Sequence, residues 1–65
     1  MKAQELRQHS VEELERMARD LRDRLFRLRL KHKLGQLDDR MEIRRTRRDL
    51  ARVLTVLNEK RRGVS

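Results

Sequence analysis

The chain of 65 residues has no cysteine, no proline, only two glycines and a single aromatic residue, Phe26. Each absence removes a class of protein. Without cysteine there is neither a disulfide framework nor a cysteine-bearing zinc site. No apolar run exceeds two consecutive residues, so the sequence holds neither a membrane span nor a signal-peptide core, and it reads as soluble and intracellular. One aromatic cannot supply a stacking platform for a run of unpaired bases, and no glycine-rich phosphate loop is present. His9 and His32 share no ligand spacing, so no metal and no cofactor is expected. Ser10 beside His9 is not a catalytic pair, because a helix cap already explains the serine. A chain below roughly 70–80 residues seldom gains more than about 3–5 kcal/mol from one core, and it can hardly wall a substrate pocket of about 300–1,000 Å³. No catalytic residue is assigned. The chain reads as a binding protein, not an enzyme.

What the sequence has in excess is positive charge. Lys and Arg number 19 against 11 Asp and Glu, giving a formal charge of +8 and a sequence pI near 11.4. Arginine supplies 15 of those 19, and its planar fork suits bidentate contact with phosphate. A polyanionic partner follows.

The wealth of Leu, Arg and Glu favours helix throughout. Ser10-Val11-Glu12-Glu13 is a capping box, with acidic residues in the positive first turn. Val11, Leu14, Ala18, Leu21, Leu25 and Leu28 then recur at spacings of three and four, which makes one apolar stripe. Gly35 is the natural stop. Asp39 repeats the capping logic with Glu42 three residues on, and Ile43, Leu50, Leu54 and Leu57 share a face flanked by Thr46 and Val53. Lys60, Arg61 and Arg62 suit the negative end, and Gly63 follows. The fold expected is all-α: helix one over about 10–34, a turn at 35–38 and helix two over about 39–62. The short connection makes the pair antiparallel, a single hairpin domain over 1–65. Residues 2–8 could add a short helical turn, with Leu6 folding back on the open end. A coiled-coil fibre is the competing pattern, but the heptad-like stripe ends at Gly35 after fewer than three heptads.

Charge is segregated along this hairpin. Residues 1–23 carry five basic and six acidic residues, net −1; residues 24–48 carry ten and three, net +7; residues 49–65 carry four and two, net +2. The middle segment is the turn-proximal half of both helices, so the positive charge collects at one end. Near the other end Glu12–Arg16, Glu15–Arg19, Asp20–Arg24 and Asp23–Arg27 are spaced for i,i+4 pairing. The residues expected to meet RNA phosphates are Arg29, Lys31 and Lys33 on helix one, and Arg40, Arg44, Arg45, Arg47, Arg48 and Arg52 on helix two. Helical projection sets Arg45, Arg48 and Arg52 opposite the Ile43–Leu50–Leu54 stripe, with Arg44 to one side. Arg47 borders the core, where its stem can snorkel. Composition alone does not separate RNA from DNA.

Some apolar residues fall where a lone hairpin should be polar. Phe26, Leu30 and Leu34 form a row roughly opposite the Leu14–Leu25 stripe, and Met41 and Val56 are placed on the outer face of helix two. Two helices cannot cover both faces of each other, so a partner-facing role is assigned to Phe26, Leu30 and Leu34. Leu6 or Leu37 could fold over part of the row. His32, at the turn end of the stripe, is expected to be partly buried against backbone.

Several stretches are recognisable. Lys2-Ala3-Gln4-Glu5-Leu6-Arg7 followed by Ser10-Val11-Glu12-Glu13-Leu14 resembles the opening of the protein-twenty-nine family of the large ribosomal subunit, in its bacterial form. Leu25-Phe26-Arg27-Leu28-Arg29 and the later Gly35-Gln36-Leu37 resemble that family's helix-one end and turn. The run Arg47-Arg48-Asp49-Leu50-Ala51-Arg52-Val53-Leu54-Thr55-Val56-Leu57 is similar to its helix-two signature; Lys31-His32-Lys33-Leu34 departs from the pattern. The resemblance implies a cytoplasmic, ribosome-associated structural protein that binds large-subunit ribosomal RNA near the nascent-chain tunnel exit. It also implies a neighbouring tunnel-exit ribosomal protein (number twenty-three) and visits by trigger factor or targeting factors. Arg47, Arg48 and Arg52 match the family's basic signature.

Two other readings stand beside it. One is a homodimeric four-helix bundle that regulates by binding RNA, with the second apolar row as its seam. The other is a basic helix pair lying on anionic membrane, weakened by interleaved basic and apolar residues and by the lack of Trp or Tyr anchors.

Overall fold

The Ser10 capping box forms in full in the computed structural model, which describes residues 1–63. The Ser10 hydroxyl accepts from the Glu13 amide at 3.2 Å, and the Glu13 carboxylate accepts from the Ser10 amide at 3.0 Å. A short first helix, α1 (Ala3–Leu6), precedes this cap, and α2 (Val11–Lys33) follows it. At its far end Gly35 adopts φ +70°. Its amide donates to His32 O and the Gln36 amide to Lys31 O, so two of the carbonyls left over by the helix are satisfied.

The third helix, α3 (Met41–Arg61), starts two residues beyond Asp39. Asp39 still caps it, because Asp39 Oδ1 accepts from the Met41 amide at 2.9 Å. The reciprocal half of the expected box does not form. Glu42 instead faces Arg24 across the hairpin at 3.5 Å. The two long helices pack against each other, and α1 packs on α3, in a rod with Cα extents of 43 × 17 × 14 Å.

The core is concentrated at the open end. Leu6, Leu14, Ala18, Val53, Val56 and Leu57 form one buried cluster, with Val11, Met17, Leu21, Leu50 and Leu54 packed around it. Val56 is only 1% exposed, which corrects its expected place on the outer face. The reason is α1, which lays Leu6 against this side of α3 and so widens the apolar face that a hairpin alone could bury. Toward the turn only Leu25, Leu28 and Thr46 are buried.

The ion pairs also differ from the i,i+4 expectation. Of the four spaced pairs, only Asp23–Arg27 forms, at 3.0 Å. Glu15 turns across the hairpin to Arg61 at 2.5 Å, Arg24 goes to Glu42, and Arg7 meets Glu59 at 3.5 Å. Such exposed pairs add little stability, but those between helices fix which residues face each other.

Candidate nucleic-acid interface

All nine cations assigned from the sequence are exposed, and all belong to the turn-proximal half of α2, to the turn, or to α3 up to Arg52. Their solvation follows from the packing. The apolar stripes of α2 and α3 face each other, so the charged positions are left on the outside. Arg47, expected at the core border, is exposed as well.

The nine are not equivalent. Arg45 donates to Asp39 Oδ2 at 2.6 Å, and Arg52 donates to the Met1 carbonyl at 2.8 Å. Both are held by the protein itself. Among the described residues, Arg29, Lys31, Lys33, Arg40, Arg44, Arg47 and Arg48 have no ion pair and no side-chain hydrogen bond. The Arg45 guanidinium, followed by the Met41 amide, holds the Asp39 carboxyl below the usual aspartate range. Because Val56 belongs to the core, the centre of the α3 apolar face lies nearer Val53 than the stripe through Leu54 suggests. At about 100° per residue, Arg44 and Arg48 then stand most directly opposite the core.

The turn end of α2 adds a feature of a different kind. Phe26, Leu30 and Leu34 remain 66%, 48% and 60% exposed. Leu6 covers the α3 side and not this row, and Leu37 is half-buried without closing it. His32 is exposed, contrary to the burial expected. The reason is local, since Gly35 ends the helix there and the chain turns away. His32 joins Phe26, Arg29, Leu30 and Lys33 in lining a groove of about 410 Å³. Sequence reasoning expects Arg29 and Lys33 to be phosphate ligands and Phe26 a partner contact, but misses their shared groove and the part of His32 in it. The signal was present as two adjacent i,i+4 rows, Phe26–Leu30 and Arg29–Lys33.

The model of the family described as Ribosomal L29 protein matches residues 4–60. The chain belongs to that family. It is 51% identical over 63 residues to the large ribosomal subunit protein uL29 of Hydrogenobaculum sp. (strain Y04AAS1), covering 97% of this chain and 96% of the relative. It is 52% identical over 61 residues to uL29 of Rubrobacter xylanophilus, covering 94% and 91%. The uL29 protein of Aeropyrum pernix is 52% identical over 63 residues, covering 97% and 89%. The family match therefore spans α1 from Gln4, all of α2 with its basic end, the turn, and α3 up to Lys60.

Proposed function

We propose that this chain is a non-enzymatic structural component of the large ribosomal subunit that binds ribosomal RNA through its turn-proximal basic end. The observation that carries the reading is the near-full-length similarity to chains named uL29. The exposed cations Arg29, Lys31, Lys33, Arg40, Arg44, Arg47 and Arg48, which have no ion pair among the described residues, support RNA as the ligand, because each can replace a counterion on a phosphate. Arg45 and Arg52 join them once they exchange Asp39 and Met1 for phosphate. A place near the nascent-chain tunnel exit, a neighbour in ribosomal protein twenty-three, and visits by trigger factor or targeting factors rest on the family resemblance. The cytoplasm is then the compartment.

The exposed Phe26–Leu30–Leu34 row keeps one other reading in play, a dimeric RNA-binding bundle with this row as its seam. Two sedimentation measurements separate the readings. On a sucrose gradient of cell lysate the tagged chain should travel with large subunits and leave them in high salt. The isolated chain should sediment as a monomer. A chain that stays at the top of the gradient and sediments alone as a stable dimer contradicts the proposal.

A further inference from the structure

We infer that the groove on α2 between the Phe26–Leu30 row and the Arg29–Lys33 row receives one unpaired RNA nucleotide, its base against Phe26 and its phosphate on the cations. The inference rests on the RNA-binding reading and names the part of the RNA that this face takes.

Three observations lead there. Phe26, the only aromatic in the chain, is 66% exposed, although an aromatic ring has more to gain from burial than most side chains. The groove beside it is lined by the apolar row of Phe26 and Leu30, the basic row of Arg29 and Lys33, and His32, with no carboxylate of the described residues in its lining. Neither Arg29 nor Lys33 has an internal ion pair among the described residues.

This combination fits a nucleotide better than it fits a protein segment. A docking helix needs several apolar positions along a cleft between elements, whereas all five lining residues here lie within two turns of one helix. A nucleotide needs less: one π-face for the base, and cations a few ångströms away for its phosphate. A paired base could not use the site, since its faces are already stacked within the duplex. The occupant is therefore a bulged, looped or terminal nucleotide, next to duplex whose backbone the α3 arginines can follow. Lack of aromatics excludes a platform for a run of bases. It does not exclude a seat for one.

The test uses the full chain and two synthetic RNA hairpins, identical except that one carries a single bulged 2-aminopurine in its stem. The chain should prefer the bulged hairpin by about tenfold, the scale of one base–aromatic stack, and should quench the 2-aminopurine on binding. Phe26→Leu keeps an apolar side chain at an exposed position, so the fold should be retained, as circular dichroism would verify. This variant should lose the preference and the quenching while binding the paired hairpin as before. Arg29→Gln should weaken binding to the bulged hairpin more than to the paired one. If both hairpins bind but the bulge is not preferred, or Phe26→Leu keeps the preference, the nucleotide seat is wrong while RNA binding stands, and the row passes to a protein partner. If neither hairpin binds at low salt, the inference falls together with the RNA reading beneath it.

Discussion

Asp39 holds Arg45 at 2.6 Å with one carboxylate oxygen while the other accepts the Met41 amide and caps α3. The arginine is thereby kept beside the turn, at the end of the rod where the other candidate RNA-binding cations have no ion pair among the described residues. Asp39 competes with a phosphate for the Arg45 guanidinium. Asp39→Asn preserves an acceptor for the Met41 amide and removes the charge that competes with RNA. The variant should bind folded RNA more tightly and with a salt dependence steeper by up to one contact's worth, about 0.7 to 0.9 in the slope of log K against log salt. Filter binding at several salt concentrations reads this out; weaker binding by a folded Asp39→Asn chain would show that Asp39 presents Arg45 to the ligand.

Leu6 and Phe26 should respond in opposite ways to truncation. Leu6 is 2% exposed in the core cluster, so Leu6→Ala should cost about 2–5 kcal/mol of folding stability and lower the melting temperature sharply. Phe26→Ala, at 66% exposure, should leave the melt within about 0.5 kcal/mol and weaken assembly instead. Thermal melts of the free chains, paired with incorporation into large subunits, separate the two roles.

At Gly35 the space around the backbone is open, since a Cβ there would meet nothing within 4 Å. The cost of Gly35→Ala is therefore that of the left-handed conformation alone, about 1–2 kcal/mol. Gly35→Asn should cost less, because Asn tolerates that conformation. Equal stability of the glycine and alanine chains in urea titration would mean that the turn can re-form without positive φ.

Acid should loosen both helix starts. The Ser10 amide, then the Ser10 hydroxyl and His9, hold the Glu13 carboxyl below its ordinary value of 4.5, and Arg45 and Met41 do the same for Asp39 below 3.8. Both folded values are depressed, so the stability they bring is complete above the ordinary values and is lost as pH falls through the folded ones. Melting temperature should be flat from pH 7 to about pH 5 as far as these two groups are concerned, then fall in acid. Glu13→Gln should shrink that acid fall. An unchanged acid profile in Glu13→Gln would remove the cap from the explanation.

The helix ends were legible because each is set by a local residue: Ser10, Asp39 and Gly35 carry their own hydrogen-bonding or backbone chemistry. The row of Phe26, Leu30 and Leu34 was legible for a similar reason, since its periodicity conflicts with the stripe that two helices can bury. The burial of Val56 is not legible in α3 alone, because it shares a core cluster with Leu6, fifty residues away in sequence, and no periodicity within α3 reports that packing. Tertiary geometry likewise sent Glu15 to Arg61 and Arg24 to Glu42 when local spacing offered each a nearer partner. At the candidate interface, charge counting points to the turn-proximal end of the rod. It does not tell Arg48, which has no ion pair among the described residues, from Arg45 and Arg52, which the protein holds.

The most direct test of the account is a salt titration of RNA binding by four single variants, Arg44→Gln, Arg47→Gln, Arg48→Gln and Arg16→Gln, on two unrelated folded RNAs. The first three remove cations of the basic end that have no ion pair among the described residues; Arg16 lies in the net-negative segment 1–23. Each of the three should lower the slope of log K against log salt by about 0.7 to 0.9 and weaken both RNAs alike, because a phosphate contact carries no sequence information. Arg16→Gln should leave the slope nearly unchanged. If Arg16→Gln matters as much as Arg48→Gln, or if Arg48→Gln weakens only one of the two RNAs, the claim that this end of the rod holds the RNA backbone is contradicted.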